Sequence, residues 1–101
     1  MSLNLETKIV TTTPYSVLNN DDVLFINVAG PSSIILPASG IDGGKKRSYF
    51  IKDFSGNAGI NPVTITSAGG KTIDGVSFAI LNGGYSHIQV IYDGTNWKII
   101  S

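Results

Sequence analysis

Cysteine is absent from the 101-residue sequence, and its absence excludes both a disulfide framework and thiolate chemistry, whether as a nucleophile or as a soft metal ligand. A chain of this length buries roughly 60 to 70% of the surface that its unfolded form exposes, so its own core gives only modest stability. Because no covalent cross-link is available, self-association is the additional source of stability that we expect.

Charged residues are scarce and balanced. Seven Lys and Arg face seven Asp and Glu, and charged residues make up 14% of the chain, well below the roughly 25% usual in soluble domains. The one short basic run, Lys45-Lys46-Arg47, is too small to match a phosphate backbone, so we expect no nucleic-acid partner. The longest apolar stretches span only a few residues, which predicts a soluble chain with no signal peptide and no membrane insertion.

Helical signals are nearly absent, because twelve glycines, four prolines and many Thr, Val and Ile residues interrupt any apolar pattern of 3.6-residue spacing. Short strand-like runs between turn residues predict an all-β fold: a small antiparallel β-sandwich or jelly roll over residues 14–101, preceded by a connector or arm over residues 1–13. Residues 62–81 have the rhythm of a β-solenoid coil, but no period is sustained, so we expect no solenoid. The predicted strands cover residues 6–13, 15–18, 23–28, 33–37, 48–53, 62–67, 78–81, 86–93 and 96–100.

The clearest local signal is a hairpin near the end of the chain. Asp93-Gly94 stands between two alternating apolar runs, which is among the strongest hairpin signals. Trp97, the only tryptophan, follows this turn. It can close one end of the core or stack on a sugar ring, and we favour the core because a single Trp in an all-β domain is most often packed.

Two predicted strands, VLFINV (23–28) and SIILP (33–37), are apolar on both faces. An antiparallel sheet in a small monomer normally leaves one face in water, so we expect the second face to meet copies of the same chain. The alternative is a strand that the chain's own loops bury. The expected interface residues are Leu24, Ile26, Val28, Ile34, Leu36, Ile91 and Ile100, joined on that face by Phe50.

Six short motifs follow one another along the chain: Tyr15-x-Val17, Leu36-Pro37, Ile51-Lys52-Asp53 with Ser55-Gly56-Asn57, Asn61-Pro62, Lys71 to Gly75, and Tyr92 to Trp97. In register, over residues 14 to 100, they resemble a domain at the ends of phage tail fibres, tail spikes and other virion appendage proteins. The resemblance implies a β-sandwich module that forms a homotrimer on a virion, is assembled in the host cytoplasm and contacts the host surface. Family members are commonly tips of long proteins, so we expect either a free-standing appendage protein or an excised tip.

No catalytic or metal-binding constellation emerges. Asp21 and Asp22 are neighbours in a turn and are interpreted as solvated, whereas a polysaccharide hydrolase needs two carboxylates that face each other. His87 is the only histidine, so one chain offers no histidine-based metal site, although three copies on a symmetry axis could gather an ion. We expect no catalysis, no metal and no cofactor.

The candidate ligand-binding residues form two groups. Tyr85, His87 and Trp97 are aromatic groups for stacking, but strand alternation divides them between faces, which argues against one pocket. Lys45, Lys46 and Arg47 are cations for acidic glycans, although such a run is more often a solvated loop.

The leading hypothesis is therefore a non-catalytic, homotrimeric virion appendage module for assembly and host-surface recognition. Its expected partners are its own copies, a host-surface glycan or receptor, and other virion proteins. A monomeric carbohydrate-binding module is the alternative, and a depolymerase comes third.

Overall fold

The computed structural model describes residues 4–101 and confirms the all-β prediction. A 3₁₀ turn at Ala68–Gly70 is the one short helical element in this described range. The strands are β1 Thr7–Val10, β2 Tyr15–Ser16, β3 Val23–Ile26, β4 Ser32–Leu36, β5 Ile41–Asp42, β6 Lys45–Lys46, β7 Ser48–Asp53, β8 Val63–Ser67, β9 Ala79–Leu81, β10 His87–Tyr92 and β11 Trp97–Ile99.

The chain alternates between two sheets, of order β1-β3-β7-β10-β11 and β2-β4-β8-β9. Because each strand returns through the other sheet, β1, β3 and β7 are parallel to one another, and so are β2, β4 and β8. The strand pairs β1/β2, β3/β4 and β7/β8 therefore stack as three successive coils. The expectation of antiparallel pairing throughout is wrong for this part of the fold.

Parallel coils stack in this part of the fold although the sequence has no sustained period, and the register explains why the sequence hides them. Thr7 pairs with Val23, and Val23 pairs with Phe50, so the first coil advances 23 − 7 = 16 residues and the second 50 − 23 = 27 residues. Stacked coils of unequal length leave no constant period in the sequence.

Antiparallel strands complete both sheets. Strand β9 is antiparallel to β8, and β10 is antiparallel to both β7 and β11. The hairpin predicted around Asp93-Gly94 is confirmed as the β10–β11 connection, with Tyr92 opposite Trp97. Strands β5 and β6 form a separate small hairpin.

Both sheets contribute to one hydrophobic core, and this corrects the predicted interface for five of its residues, whereas Ile91 is half-buried outside that core and Ile100 is 53% exposed. Leu24, Ile26, Ile34 and Leu36 are at most 3% exposed in the single chain, and Val28 packs against the same core. Alternation along β3 and β4 turns these side chains inward, so they are not available to a second copy. Strand β3 is apolar on both faces as predicted, but the face expected to meet a second copy is the one that packs in the core.

The segment expected to be a connector is part of the domain from β1 onwards. Strand β1 is the edge of the five-stranded sheet and pairs with β3, and Val10 is 1% exposed in the core. A boundary after residue 13 therefore does not separate an arm from the domain in the described range, and residues 1–3 of the expected arm lie outside that range. Within residues 4–101, no helix has the length and apolarity needed to span a membrane.

Candidate functional site

Trp97 is a core residue, as we favoured, and its predicted alternative role in ligand stacking is wrong. Its side chain is 0% exposed and packs at ring-centroid distances of 5.6 Å from Tyr49 and 5.1 Å from Tyr92. The indole N–H donates to the Oγ of Ser67 at 3.1 Å and to the carbonyl oxygen of Pro37 at 3.3 Å. A fully enclosed ring with its polar atom satisfied has no surface for a ligand.

The last two sequence motifs hold each other in place. In the turn before Trp97, the Asp93 carboxylate accepts the N–H groups of Thr95 and Asn96, each at 2.8 Å. The Asn96 side-chain oxygen then accepts the N–H of Thr72 at 2.9 Å, and the Asp74 carboxylate accepts the N–H of Ile99 at 3.0 Å. These polar residues therefore serve the fold rather than a ligand.

Arg47 is also a structural residue, in contrast to its predicted contact with glycans. Its guanidinium pairs with the Asp22 carboxylate at 2.7 Å, donates to the carbonyl oxygen of Asp21, and lies 5.3 Å from the ring centroid of Tyr49. Burial alone raises the pKa of Asp22, but hydrogen bonds from the Glu6 N–H and from Arg47 outweigh it and lower that pKa.

Asp21 is buried, so the prediction that it is a solvated turn residue is wrong. It is 7% exposed, and its carboxylate accepts the Tyr15 hydroxyl at 2.6 Å and the N–H of Leu18 at 2.9 Å. Burial is the largest cause that raises the pKa of Tyr15. The hydrogen bond to Asp21 and the negative charge of the Asp21 carboxylate raise that pKa further. The first motif, Tyr15-x-Val17, thus closes a turn onto the core.

Lys45 and Lys46 are exposed on the β5–β6 hairpin. Lys46 lies beside the β10–β11 turn, since a Cβ atom added at Gly94 would be 3.4 Å from the Lys46 Cε. Tyr85 precedes the other end of β10. The structure therefore does not bring the two predicted ligand groups together.

The structure does bring Tyr85, His87 and Lys52 to one end of the five-stranded sheet. His87 and Lys52 are directly opposite each other in the β10–β7 register. Lys52 donates to the carbonyl oxygen of Tyr85, and its Nζ lies 5.7 Å from the centroid of the Tyr85 ring. His87 is exposed, with its Nε2 3.3 Å from the Oγ of Ser101.

The buried carboxylate of Asp53 organises this end of the sheet. It is 2% exposed and accepts the N–H groups of Ala58 at 3.0 Å and Tyr85 at 2.9 Å. Burial alone raises the pKa of Asp53, but these bonds, together with those from Asn57 and Ser55, outweigh it and hold the pKa below its ordinary value. The Asp53 motif therefore joins the loop after β7 to the loop before β10.

An open groove of about 260 Å³ lies on the outer face of the five-stranded sheet. Beside Lys52 and His87, its lining is apolar: Leu5, Val23, Phe25 and Phe50. The sequence predicts His87 as a ligand residue and Phe50 on an interacting face, but the groove is not among the predicted features. The available signal was the alternation of SYFIKD, which places Phe50 and Lys52 on the face opposite Tyr49, Ile51 and Asp53.

Within residues 4–101, no group of three or more His, Cys, Asp or Glu side chains is arranged to hold a metal ion. Comparison with models of known protein families finds no match, and a search of curated proteins finds none either.

Proposed function

We propose that this chain is a non-catalytic module of a virion appendage, in which it assembles as a homotrimer and recognises the host surface. In this proposal the two sheets act as a small β-sandwich, and copies meet through the outer face of the five-stranded sheet. The module is assembled in the host cytoplasm and joins other virion proteins. The six-motif resemblance supports the family, and the outer face supports self-association.

The outer face of the five-stranded sheet is the observation that carries the assembly role. Phe25 and Phe50 stand on it, with Ile9 and Phe54 51% and 45% exposed at its side. The Phe25 and Phe54 rings lie 5.8 Å apart, so the apolar groups form a continuous patch. Contiguous exposed apolar surface of this kind marks interaction sites in soluble proteins.

The outer face of the four-stranded sheet provides an internal comparison. It carries hydroxyl side chains of Ser16, Ser33, Thr64 and Thr66, with Ile35 and the 45% exposed Ile80 among them. Such a mixed surface suits contact with water. Because the two faces belong to the same chain, the aromatic character of the first is a local feature rather than a general property of the composition.

The motifs that carry the resemblance have mainly structural contacts here: they close turns, cap loops and lock strands. Proteins that share them are expected to share an architecture, whereas their receptor-contacting side chains are free to differ. This division suits an appendage module whose scaffold is constant and whose recognised surface varies.

The assembly role is tested by the mass of the protein in solution. Light scattering is expected to give about three times the 10.7 kDa chain mass, or about 32 kDa. Phe50→Glu is expected to shift the mass towards 10.7 kDa, because it places a charge on the proposed interface. Thr64→Glu is the matched control on the other outer face and should leave the trimer intact.

A wild-type chain that remains at 10.7 kDa over the whole concentration range would refute trimeric assembly. In that case the exposed aromatic groups would favour the second candidate, a monomeric carbohydrate-binding module.

A further inference from the structure

Tyr85 has an unusual backbone conformation for an aromatic residue. Its φ is +60°, in the left-handed region that bulky side chains rarely adopt. Gly83 and Gly84 directly precede it, and neither has a positive φ. A glycine would adopt the conformation of residue 85 without steric cost. Local backbone geometry alone therefore favours glycine over tyrosine at this position.

Three contacts hold Tyr85 in this conformation. Its N–H donates to the buried Asp53 carboxylate at 2.9 Å, and its carbonyl oxygen accepts from Lys52. Its ring lies against Gly56, where an added Cβ atom would be 2.6 Å from the ring Cε2. Even so, the residue is 60% exposed. Packing in the core therefore does not account for the ring, which is held in place and presented to solvent.

Lys52 adds a positive charge over the ring, with its Nζ 5.7 Å from the ring centroid. Of its three N–H donors, one is directed to the Tyr85 carbonyl oxygen, which leaves two for a ligand. Among residues 4–101, Lys52 forms no ion pair with a carboxylate. The neighbouring Asp53 carboxylate is turned into the core, where backbone N–H groups bind it. The unit therefore combines a 60% exposed tyrosine with an ammonium group that lies over its ring.

We infer that Tyr85 and Lys52 form a binding site for a carboxylated saccharide. The apolar C–H face of a pyranose ring stacks on the Tyr85 ring, and the sugar carboxylate binds the Lys52 ammonium. Charge complementarity selects an acidic sugar over a neutral one. This inference rests on the recognition part of the proposed function and names its ligand class. Tyr85 stands in the loop before β10, at the end of the sheet face proposed for assembly, and Lys52 also lines the groove on that face.

The test is an NMR titration of the intact protein with hexagalacturonate and, as the neutral probe, maltohexaose. Hexagalacturonate is expected to shift the amide resonances around Tyr85, and maltohexaose to bind at least about tenfold more weakly. Tyr85→Gly retains the left-handed backbone and removes the ring, so it should weaken hexagalacturonate binding by about tenfold without loss of fold.

Two further variants separate the contributions of ring and charge. Tyr85→Phe keeps the ring and should bind like the wild type. Lys52→Met keeps most of the apolar stem and should reduce binding of hexagalacturonate towards the level of maltohexaose. No detectable hexagalacturonate binding, equal binding of both probes, or unchanged binding by Tyr85→Gly would each overturn the inference.

The solution mass is measured on the same samples. A monomer that binds hexagalacturonate through Tyr85 would refute trimeric assembly and support the saccharide site. A trimer that binds neither probe would support trimeric assembly and overturn the saccharide site.

Discussion

The carboxylate of Asp53 accepts the backbone N–H of Tyr85 at 2.9 Å, across 32 residues of sequence. With a second bond to the N–H of Ala58, this contact ties two loops to the end of the five-stranded sheet. A buried carboxylate that several N–H groups satisfy is costly to remove, because its partners are then left without an acceptor.

Asp53→Ala is therefore expected to reduce the free energy of unfolding by about 3 kcal/mol. Asp53→Asn retains one acceptor oxygen and should lose less, about 1 to 2 kcal/mol. Urea denaturation measures both changes. Asp42→Ala, at an exposed position of β5, is the control and should change stability by less than about 0.5 kcal/mol. Equal stability of all three variants would contradict the role of Asp53.

The acid stability of the protein should follow its depressed carboxyl pKa values. The pKa values of Asp22 and Asp53 lie below their ordinary values in the folded chain. Their contribution is thus fully present above the unfolded value, near pH 3.9, and is lost as the pH falls through the folded values. Urea midpoints measured from about pH 6 down to pH 2 should fall at the acid end. Asp53→Asn should flatten that decline, and an unchanged slope would exclude Asp53 as a contributor.

Trp97→Ala is expected to cost about 3 to 5 kcal/mol, since it removes the largest fully buried side chain and its contacts with Tyr49 and Tyr92. Trp97→Phe keeps an aromatic ring and should cost less. Thermal unfolding followed by circular dichroism compares them with Ile60→Ala, because Ile60 is 83% exposed. If Trp97→Ala is as stable as that control, Trp97 does not close the core.

Gly40 and Gly30 form a matched pair for a test of core packing, since neither has a positive φ. A Cβ atom at Gly40 would lie 2.7 Å from the Cη2 of Trp97, whereas one at Gly30 would meet nothing within 4 Å. Gly40→Ala should therefore destabilise the fold by about 1 to 3 kcal/mol. Gly30→Ala should be neutral or slightly stabilising, because alanine restricts the unfolded chain. The urea midpoints of the two variants measure this difference. A lower midpoint for Gly30→Ala than for Gly40→Ala would contradict this packing.

Ile26→Asp and Phe50→Glu distinguish the two faces of the five-stranded sheet. Ile26 is 3% exposed in the core, so an unpaired charge there should cost at least about 3 kcal/mol and unfold much of the protein. Phe50 is on the outer face, so its variant should remain folded. Circular dichroism reports the fold of each. A folded Ile26→Asp would show that the inward orientation of β3 is wrong.

Local features were accessible from the sequence because neighbouring residues cause them. The Asp93-Gly94 hairpin, the packed position of Trp97 and the all-β class follow from turn chemistry, alternation and composition. By contrast, nothing local indicated that Arg47 would be bound within the fold, since its partners Asp21 and Asp22 are 26 and 25 residues away in the chain.

The sequence by itself determined that β3 and β4 would be apolar on both sides, since alternation is a property of consecutive residues. Only the tertiary structure decided which side became the core. That choice depends on the crossing of the chain between two sheets, which turns Leu24 and Ile34 towards each other's sheet and leaves Phe25 and Phe50 outside. The same crossing brings Tyr85 beside Lys52, because strand pairing joins segments that covalent order keeps apart.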